Sequence, residues 1–311
     1  MSVQRLEATH SVDVRRPFTY AAALAGGITA AQLRGPRFRK LFRGVFIDAS
    51  ILPHPLHRVL AALLIHPRHA FASHASAGRV YDAPLPAGLG EEHVSVFAAA
   101  DRRRREGIRN HVVSAATPVV TFRGLRVSAP AQAFVELAEQ LTLVDLVVVG
   151  DYFARKGWLT PEELVAYCED QGSGAARRAA AYVRRDVDSP METRLRMLLV
   201  LAGTPEPVVN FKVYYADGRV RYRFDLSYPD LKIVVEYDGR QHRADLDQWD
   251  HDVERGEWFD EDGWRHVPVF SWGIYRRPDR TIERVRNALV SRGYRTGPLS
   301  DCWRPHFPVR P

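Results

Sequence analysis

The sequence contains little cysteine and no long hydrophobic run. Its two cysteines, Cys168 and Cys302, stand far apart and lack the close spacing of metal-binding cysteines. We therefore expect neither a disulfide scaffold nor a cysteine zinc site, and a reducing cytoplasm suits such a chain. Uninterrupted apolar runs such as residues 59–65 are too short to span a bilayer, and residues 1–18 lack the apolar segment of a signal peptide. These absences predict a cytoplasmic protein without a membrane anchor.

The remaining composition is that of a globular protein with a basic surplus. Hydrophobic residues make up 46% of the 311 positions and charged residues 26%, and this length suffices for two or three domains. The net charge of +7 predicts a polyanionic partner such as nucleic acid. Lys and Arg exceed Asp and Glu by 6 before Ser189 and by 1 from Ser189 onward. The basic surplus therefore lies in the N-terminal part.

Residues 17–50 predict two short helices followed by a basic hairpin. Thr19 and Thr29 are good helix N-caps, and the two glycines at 26–27 separate their helices. A strand-like run follows at residues 44–47. Five cations with no acidic residue between them precede this run: Arg34, Arg37, Arg39, Lys40 and Arg43. This order is typical of a winged helix, whose second helix enters a DNA groove while the wing contacts phosphates. The alternative is that the five cations only solvate a loop.

The same segment resembles the N-terminal domain of the abortive-infection type IV antitoxin family. The similarity lies in the pattern F-T-x-x-x-A-x-x-x-G that starts at Phe18 and the pattern R-K-L-x-R-G-V-F that starts at Arg39. The resemblance implies a winged-helix DNA-binding domain, residues 1–56, that regulates its own transcription in a phage-defence setting. A partner toxin and a homodimer both stay open.

Residues 57–185 predict a mixed α/β middle domain. A run of four arginines at residues 102–105, with Arg103 and Arg104 at its centre, lies in an apparent loop between two strands. Such a run is usually a solvated turn, but beside a DNA-binding domain it becomes a second candidate phosphate contact. The glycines at 172 and 174 then break the helical pattern, so we expect a domain boundary between Gly172 and Ser189.

Residues 220–237 predict two antiparallel strands that carry carboxylates. Apolar and polar side chains alternate in both strands, which is the period of a half-buried strand, and this places Asp225 and Glu236 on the face away from the core. A loop with an even number of residues, for instance Pro229-Asp230, would pair Asp225 with Val234 and leave Glu236 at the diagonal position.

Two carboxylates so close together repel each other unless a cation or a proton intervenes. Mg²⁺ prefers oxygen ligands and is usually held by one or two carboxylates together with substrate phosphate. Asp225 and Glu236 are therefore candidate ligands of Mg²⁺, for which Mn²⁺ can substitute, in an enzyme that hydrolyses phosphodiester bonds. The alternative is that both are solvated strand carboxylates paired with Arg221 and Arg223.

This arrangement resembles the PD-(D/E)XK nuclease superfamily. Over residues 189–292, and most narrowly in V-V-E-Y-D-G-x-x-H from Val234 to His242, the chain is similar to domains related to the very short patch repair endonucleases. The resemblance implies a Mg²⁺-dependent endonuclease in which the catalytic residues are Glu192, Asp225, Glu236, Asp238, Gln241 and His242. His242 can act as the general base near neutral pH and Gln241 can position the attacking water, which would replace the lysine that the superfamily pattern has two residues after the glutamate.

One departure from the superfamily pattern favours a second interpretation. Asp238 stands where the pattern has a lysine, and Lys232 lies too far upstream to replace it. A chain without that lysine can be a catalytically inactive DNA-binding regulator of the antitoxin type. Glu192 also has a structural interpretation, because Ser189-x-x-Glu192 with Pro190 forms a capping box at the start of a helix. The sequence leaves open whether the nucleic acid is DNA or RNA.

Residues 186–295 predict the order helix, three strands, helix, strand, helix. The first three strands are expected to be antiparallel and the fourth parallel, because it returns through a helix. The fold class is thus α/β (α+β), with a C-terminal mixed sheet flanked by helices and a restriction-endonuclease-like plan. On the following helix, Asp252 and Arg255 form a surface pair or act near the site. A proline-rich tail occupies residues 296–311.

Overall fold

The computed structural model describes residues 12–239 and 246–308, and of residues 246–252 only the helical backbone. The chain divides into two compact units, Met1–Gln140 and Leu141–Pro311. Helices flank mixed sheets in both units, so the predicted mixed α/β class is confirmed. The division at Gln140 falls inside the predicted middle domain of residues 57–185. No helix of the described residues is both long and apolar enough to cross a membrane.

The first unit begins with two capped helices and a hairpin, as predicted. The Thr19 hydroxyl accepts a hydrogen bond from the Ala22 amide, and Thr29 forms a capping box with Gln32. The hairpin strands pair with a short third strand in the order β1-β3-β2. The elements are β1 (Phe18–Thr19), α1 (Tyr20–Ala25), α2 (Ala30–Arg34), β2 (Phe38–Phe42) and β3 (Val45–Asp48).

A five-stranded mixed sheet completes the first unit. Its order is β6-β5-β4-β8-β7, and β5 is parallel to β6. Phe42 and Val45 of the hairpin share one hydrophobic cluster with Ala61 and Val94. The basic hairpin therefore packs against the hydrophobic core beside the five-stranded sheet. The elements are α3 (Pro55–Ile65), β4 (Phe71–Ala72), α4 (His74–Val80), β5 (Glu92–Val96), β6 (Ile108–Val112), β7 (Val119–Phe122), β8 (Leu125–Ser128) and α5 (Pro130–Leu137).

The second unit starts with four helices. A buried ion pair joins two of them: Arg196 is fully buried, and its Nη2 donates to Asp151 Oδ2 at 2.8 Å. Thr160 forms a capping box with Glu163, with proline at the first helical position. The helices are α6 (Leu143–Arg155), α7 (Pro161–Gln171), α8 (Gly174–Ala180) and α9 (Pro190–Leu201).

A four-stranded sheet follows, in the order β12-β11-β10-β9. The first three strands are antiparallel neighbours and β12 lies parallel to β11, which confirms the predicted topology. Helix α9 packs on β10 and β11, and Trp258 and Phe259 pack on Phe224. The elements are β9 (Val208–Tyr214), β10 (Val220–Tyr228), β11 (Ile233–Tyr237), α10 (Leu246–Glu261), β12 (Arg265–Val269), α11 (Ser271–Tyr275) and α12 (Pro278–Ser291).

The hairpin register differs from the predicted one. Ser227, not Asp225, pairs with Val234, because a 3₁₀ turn at Pro229–Leu231 and Lys232 with φ of 49° make the loop four residues long. The prediction of a half-buried strand is also wrong for β11, where four successive residues from Ile233 to Glu236 are buried. Helices cover more of this sheet than alternation alone indicates.

Candidate active site

The carboxylates of Asp225 and Glu236 line one cleft of the second unit. The β10–β11 ladder runs from Tyr228–Ile233 to Leu226–Val235, and the two acids are the next residues on their strands. There the main-chain amide of Tyr237 donates to Asp225 Oδ2 at 3.1 Å. The cleft has a volume of about 460 Å³, and Asp238 also lines it. The structure thus brings three of the predicted acidic residues to one opening.

Glu192 is buried at the start of α9, close to Asp225. The Ser189 hydroxyl accepts from the Glu192 amide at 3.2 Å, so the helix is capped by Ser189, but the reciprocal bond of the predicted capping box is not among the described contacts. The Glu192 carboxylate accepts from the Asp188 amide at 3.0 Å. Burial raises the pKa of Glu192, and its charge in turn acts on Asp225. Glu192 is therefore part of the helix start, and its negative charge also acts on the Asp225 carboxyl group of the site.

The environment of Asp225 favours a protonated carboxyl group. Burial, followed by the charges of Glu192 and Glu236, raises the pKa of Asp225 to about 7, against the hydrogen bond from Tyr237 and the charge of Arg255. Near neutral pH this carboxyl group is therefore partly protonated in the absence of a cation. A cation bound at this carboxyl group would displace the proton and relieve the repulsion from Glu192 and Glu236.

This raised pKa predicts that Asp225→Asn stabilises the metal-free chain at alkaline pH. The folded chain binds more protons than the unfolded chain between about pH 4 and pH 7, so this group's contribution to stability is lost as the pH rises through 7. Asparagine cannot ionise. We therefore expect the free energy of unfolding of Asp225→Asn to exceed that of wild type by on the order of 3 kcal/mol at pH 8, and this difference should vanish toward pH 4. Urea unfolding in EDTA measures it. Asp230→Asn, in the exposed turn of the same hairpin, is the matched control; equal curves for the two variants at pH 8 would contradict the prediction.

Glu236 is held by two cationic or potentially cationic groups. Arg255 of α10 forms an ion pair with Glu236 Oε1, and His266 Nε2 of β12 lies 3.0 Å from Oε2. Burial alone would raise the pKa of Glu236, but the hydrogen bond with His266 and the charge of Arg255 outweigh it and leave this pKa lowered. Glu236 is therefore ionised, in contrast to Asp225.

The arginines of β10 do not take the partners that the alternative interpretation assigned to them. Arg223 forms an ion pair with Asp188, and Arg221 lies over the rings of Tyr222 and Trp258. Lys232 donates to the main-chain carbonyl of Asp262 at 2.7 Å. Lys232 is thus engaged elsewhere and does not supply the lysine that the superfamily pattern has at position 238.

His266 was not predicted as a site residue, Arg255 was left open between a surface pair and a role near the site, and two predicted site residues cannot be placed. Arg255 and His266 line the cleft, and the sequence signal for them was weak: one position on an amphipathic helix and one at a strand start. Gln241 and His242 lie outside the described residues. The side chain of Asp252 does too, so the predicted pair with Arg255 stays a prediction, whereas the contact of Arg255 with Glu236 is observed.

The cations of the first hairpin are largely exposed. Arg34, Lys40 and Arg43 are exposed, while the Arg39 guanidinium donates to the Ile51 carbonyl at 3.1 Å. Arg37 is exposed and lies 3.7 Å from the Asp48 carboxylate. Three of the five predicted phosphate contacts are therefore accessible without breaking an observed ion pair.

The arginine run of residues 102–105 forms a loop before β6. Arg104 is exposed and lines an open groove of about 470 Å³ with its neighbours. Arg103 is half-buried; its guanidinium donates to the Ala100 carbonyl at 2.9 Å, and its main-chain amide donates to Asn110. Arg104 is thus accessible to a phosphate, whereas Arg103 shapes the loop.

Comparison with known proteins gives distant relatives. No protein-family model matches the chain. Two curated relatives from strains of Mycobacterium tuberculosis, "Uncharacterized protein MT2308" and "Uncharacterized protein Rv2248", are each 26% identical over 170 residues, which is 53% of this chain and 62% of theirs. The chain therefore matches less than two thirds of the length of these relatives.

A solved structure is also similar to part of the chain. The crystal structure of the RV2827C protein from Mycobacterium tuberculosis matches with a TM-score of 0.36 and 14% identity, over 67% of this chain and 87% of that one. None of these names states an activity, so the function rests on the geometry of the site.

Proposed function

We propose that the second unit is a metal-dependent endonuclease of the PD-(D/E)XK type that hydrolyses phosphodiester bonds of DNA. The observation that carries the proposal is the meeting of Asp225, Glu236 and Glu192, two of which line one cleft while the third raises the pKa of Asp225. The sheet order, with three antiparallel strands and a parallel fourth strand after a helix, supports a restriction-endonuclease-like arrangement.

The donor set of the cleft fits a hard divalent cation. Asp225 and Glu236 offer carboxylate oxygens and Tyr237 offers a main-chain carbonyl, which are the ligand types that Mg²⁺ and Mn²⁺ accept. Such a cation supplies charge neutralisation at the scissile phosphate and lowers the pKa of the attacking water. Without it, a proton on Asp225 and the cation of Arg255 balance the acidic charge.

The chain's own groups have distinct roles in this proposal. Arg255 holds Glu236 before substrate binds, and its guanidinium is suited to donate two hydrogen bonds to a phosphate when Glu236 turns to the metal. His266 lines the same cleft and can take the proton of the water, the role also predicted for His242. Glu192 orients a water or a second ion.

Calorimetric titration with Mn²⁺ tests the metal site directly. We expect the wild-type chain to bind Mn²⁺ and Glu236→Gln to bind it at least about tenfold more weakly, because a charged ligand is lost. Glu257→Gln, an exposed position of the adjacent helix α10, serves as the matched control and should titrate like wild type. Equal Mn²⁺ affinity of Glu236→Gln and wild type would contradict the proposed carboxylate metal site.

The ion pair between Arg255 and Glu236 favours a second candidate function. In this alternative the guanidinium occupies the place of the cation permanently, Asp238 replaces the lysine, and the chain is a catalytically inactive DNA-binding regulator. It predicts salt-dependent DNA binding, no heat of Mn²⁺ binding, and no effect of Glu236→Gln on DNA affinity. Arg255→Gln distinguishes the two functions. If the chain is a nuclease, this variant loses affinity for the phosphate. If the chain is a regulator, this variant frees the Glu236 carboxylate from its ion pair and begins to bind Mn²⁺.

In both cases we propose that the first unit brings the chain to DNA in the cytoplasm. The capped helix pair followed by a cationic hairpin supports a winged helix, in which the exposed Lys40 and Arg43 contact phosphates. Such contacts supply affinity without sequence information.

Replacing Lys40 and Arg43 by glutamate should weaken DNA binding at every sequence. We expect the slope of log K against log salt to fall by about one for each phosphate that the hairpin no longer neutralises. Fluorescence anisotropy with a short duplex over a salt series measures it. Arg126→Glu, an exposed cation of β8 in the same unit, is the control of equal net charge for each single variant, Lys40→Glu and Arg43→Glu. An equal loss of affinity in that control would show that charge alone, not the hairpin, is responsible.

A further inference from the structure

The first unit contains a cluster of three histidines that the nuclease proposal does not use. His74 begins α4, His93 lies on β5 and His111 lies on the parallel neighbour β6. One ring nitrogen from each lies within 4.8 Å of the others. The His93 Nδ1 and His111 Nε2 atoms are 2.9 Å apart, and the rings of His74 and His111 are stacked at 3.9 Å.

This cluster is buried, and one of its ring nitrogens has no hydrogen-bond partner among the described residues. His74 is 5% exposed, and its buried Nδ1 has no hydrogen-bond partner among the described residues. Its main chain is in the left-handed region, with φ of 49°, a conformation that is strained for a residue with a side chain. The strained main chain and the unpartnered Nδ1 indicate that the His74 ring is not in its most stable hydrogen-bonded position without a ligand.

Burial disfavours the protonated form of all three rings. Burial, with a smaller contribution from the neighbouring His111, lowers the pKa of His74 to about 3 and that of His93 to about 4. Burial also lowers the pKa of His111. Neutral imidazole is the form that binds metals, and the case for a site rests on the placement of the three rings.

Carboxylates stand at both edges of the His74 ring. Glu136 Oε2 lies 3.8 Å from Nδ1, is buried, and already accepts from the His74 amide at 2.9 Å. Glu139 Oε2 lies 3.6 Å from Nε2 on a side chain that is 71% exposed. The first is placed to accept the N–H of a ligating histidine, and the second to add an oxygen ligand.

We propose that His74, His93 and His111 bind one divalent transition-metal cation of the Zn²⁺ class, with Glu139 as the fourth ligand. Three imidazoles and one carboxylate suit zinc, iron, cobalt or nickel and not magnesium. The rings must turn from their stacked arrangement so that each lone pair meets the cation. The cation then takes the place between His93 and His111 that a shared proton occupies in the metal-free chain.

Gln140 sets the position of the proton on the His93 ring, and this leads to a specific prediction. Its Oε1 accepts from the Ala75 amide at 3.1 Å, so its Nε2 faces His93 Nε2 at 2.9 Å and the His93 proton is on Nδ1. A metal at His93 Nδ1 moves that proton to Nε2, where the amide of Gln140 opposes it. In the Gln140→Glu variant, the carboxylate can accept hydrogen bonds from both the Ala75 amide and the Nε2–H of His93. Gln140→Glu should therefore tighten Zn²⁺ binding, a change that a purely structural role of the cluster does not produce.

The test is calorimetric titration of the full chain with Zn²⁺ after removal of metals by chelation. We expect about one equivalent of Zn²⁺ to bind at the histidines, with the affinity of this equivalent reduced at least tenfold in His93→Gln and raised in Gln140→Glu. His69→Gln, an exposed histidine of the same unit, should bind like wild type. Asp225→Asn should also retain Zn²⁺ binding, which separates this site from the carboxylate cleft and keeps its outcome independent of the nuclease proposal.

X-ray absorption of the wild-type Zn²⁺ complex makes the test independent of how any variant folds. A first shell that contains about three imidazole ligands supports the site. An oxygen shell without imidazole, an absence of binding, or equal affinities for His93→Gln and His69→Gln would each overturn it, and the cluster would then be a neutral hydrogen-bonded imidazole stack.

Discussion

Asp225→Asn is expected to reduce Mg²⁺-dependent cleavage of supercoiled DNA by at least about a hundredfold, because it removes a charged ligand of the cation that the reaction needs. The asparagine side chain would still fill the same space and accept the Tyr237 amide, so the β10–β11 hairpin stays intact. The measurement is the rate of conversion of supercoiled to nicked and linear DNA, with Mg²⁺ or EDTA, at saturating protein.

Unfolding does not explain a loss of cleavage in this variant. Asp225→Asn is expected to be more stable than wild type at alkaline pH, so inactivity of a folded and more stable chain can be assigned to the site. Asp230→Asn carries the same chemical change a few residues away in the exposed turn and should cleave at the wild-type rate. Cleavage by Asp225→Asn at the wild-type rate would show that any nuclease activity lies elsewhere or in a contaminant.

The cleavage result also distinguishes the two candidate functions when it is combined with metal binding. Binding of Mn²⁺ without cleavage indicates a site that keeps its acids but lacks a working substitute for the lysine at Asp238. If the wild-type chain neither binds Mn²⁺ nor cleaves DNA, Arg255 holds Glu236 permanently. Both outcomes leave salt-dependent DNA binding through the first hairpin as the remaining function.

The hairpin that carries the acids was predictable to a useful degree because strand alternation is local. Turn residues between two alternating runs identify the pair of strands, and the helix between β11 and β12 identifies the parallel return. The register was wrong by two residues, since the φ of 49° at Lys232 cannot be inferred from its side chain. A shift of two residues leaves alternation unchanged, so Asp225 and Glu236 still meet at one cleft.

The partners of these acids were not predictable because they arrive from distant elements. Arg255 and His266 reach Glu236 from a later helix and a later strand, and nothing in their local spacing records that approach. The three histidines of the first unit are similar: they belong to α4, β5 and β6, without the close spacing of a sequence motif for metal binding. Periodicity reports which face a residue occupies, whereas the sheet order decides which faces meet.

The largest expected loss of stability comes from Arg196→Met in the second unit. Arg196 is fully buried and donates to Asp151, which also accepts from Thr193 and from the Arg184 amide. Removing the guanidinium leaves a buried carboxylate without its counter-ion, a change that typically costs about 3–5 kcal/mol. Burial already raises the pKa of Asp151, and loss of Arg196 raises it further, so the destabilisation should be larger at pH 8 than at pH 5.

Urea unfolding at the two pH values measures this loss of stability, and two further variants define its origin. Arg185→Met removes an exposed cation that lies 3.9 Å from Glu162, and it should cost at most about 0.5 kcal/mol. The double variant Asp151→Asn, Arg196→Met removes both buried charges but keeps an acceptor for the Arg184 amide, and it should recover most of the stability, because the penalty comes from the unpaired ion and not from the missing attraction. A double variant as unstable as Arg196→Met would instead assign the loss to packing around the arginine stem.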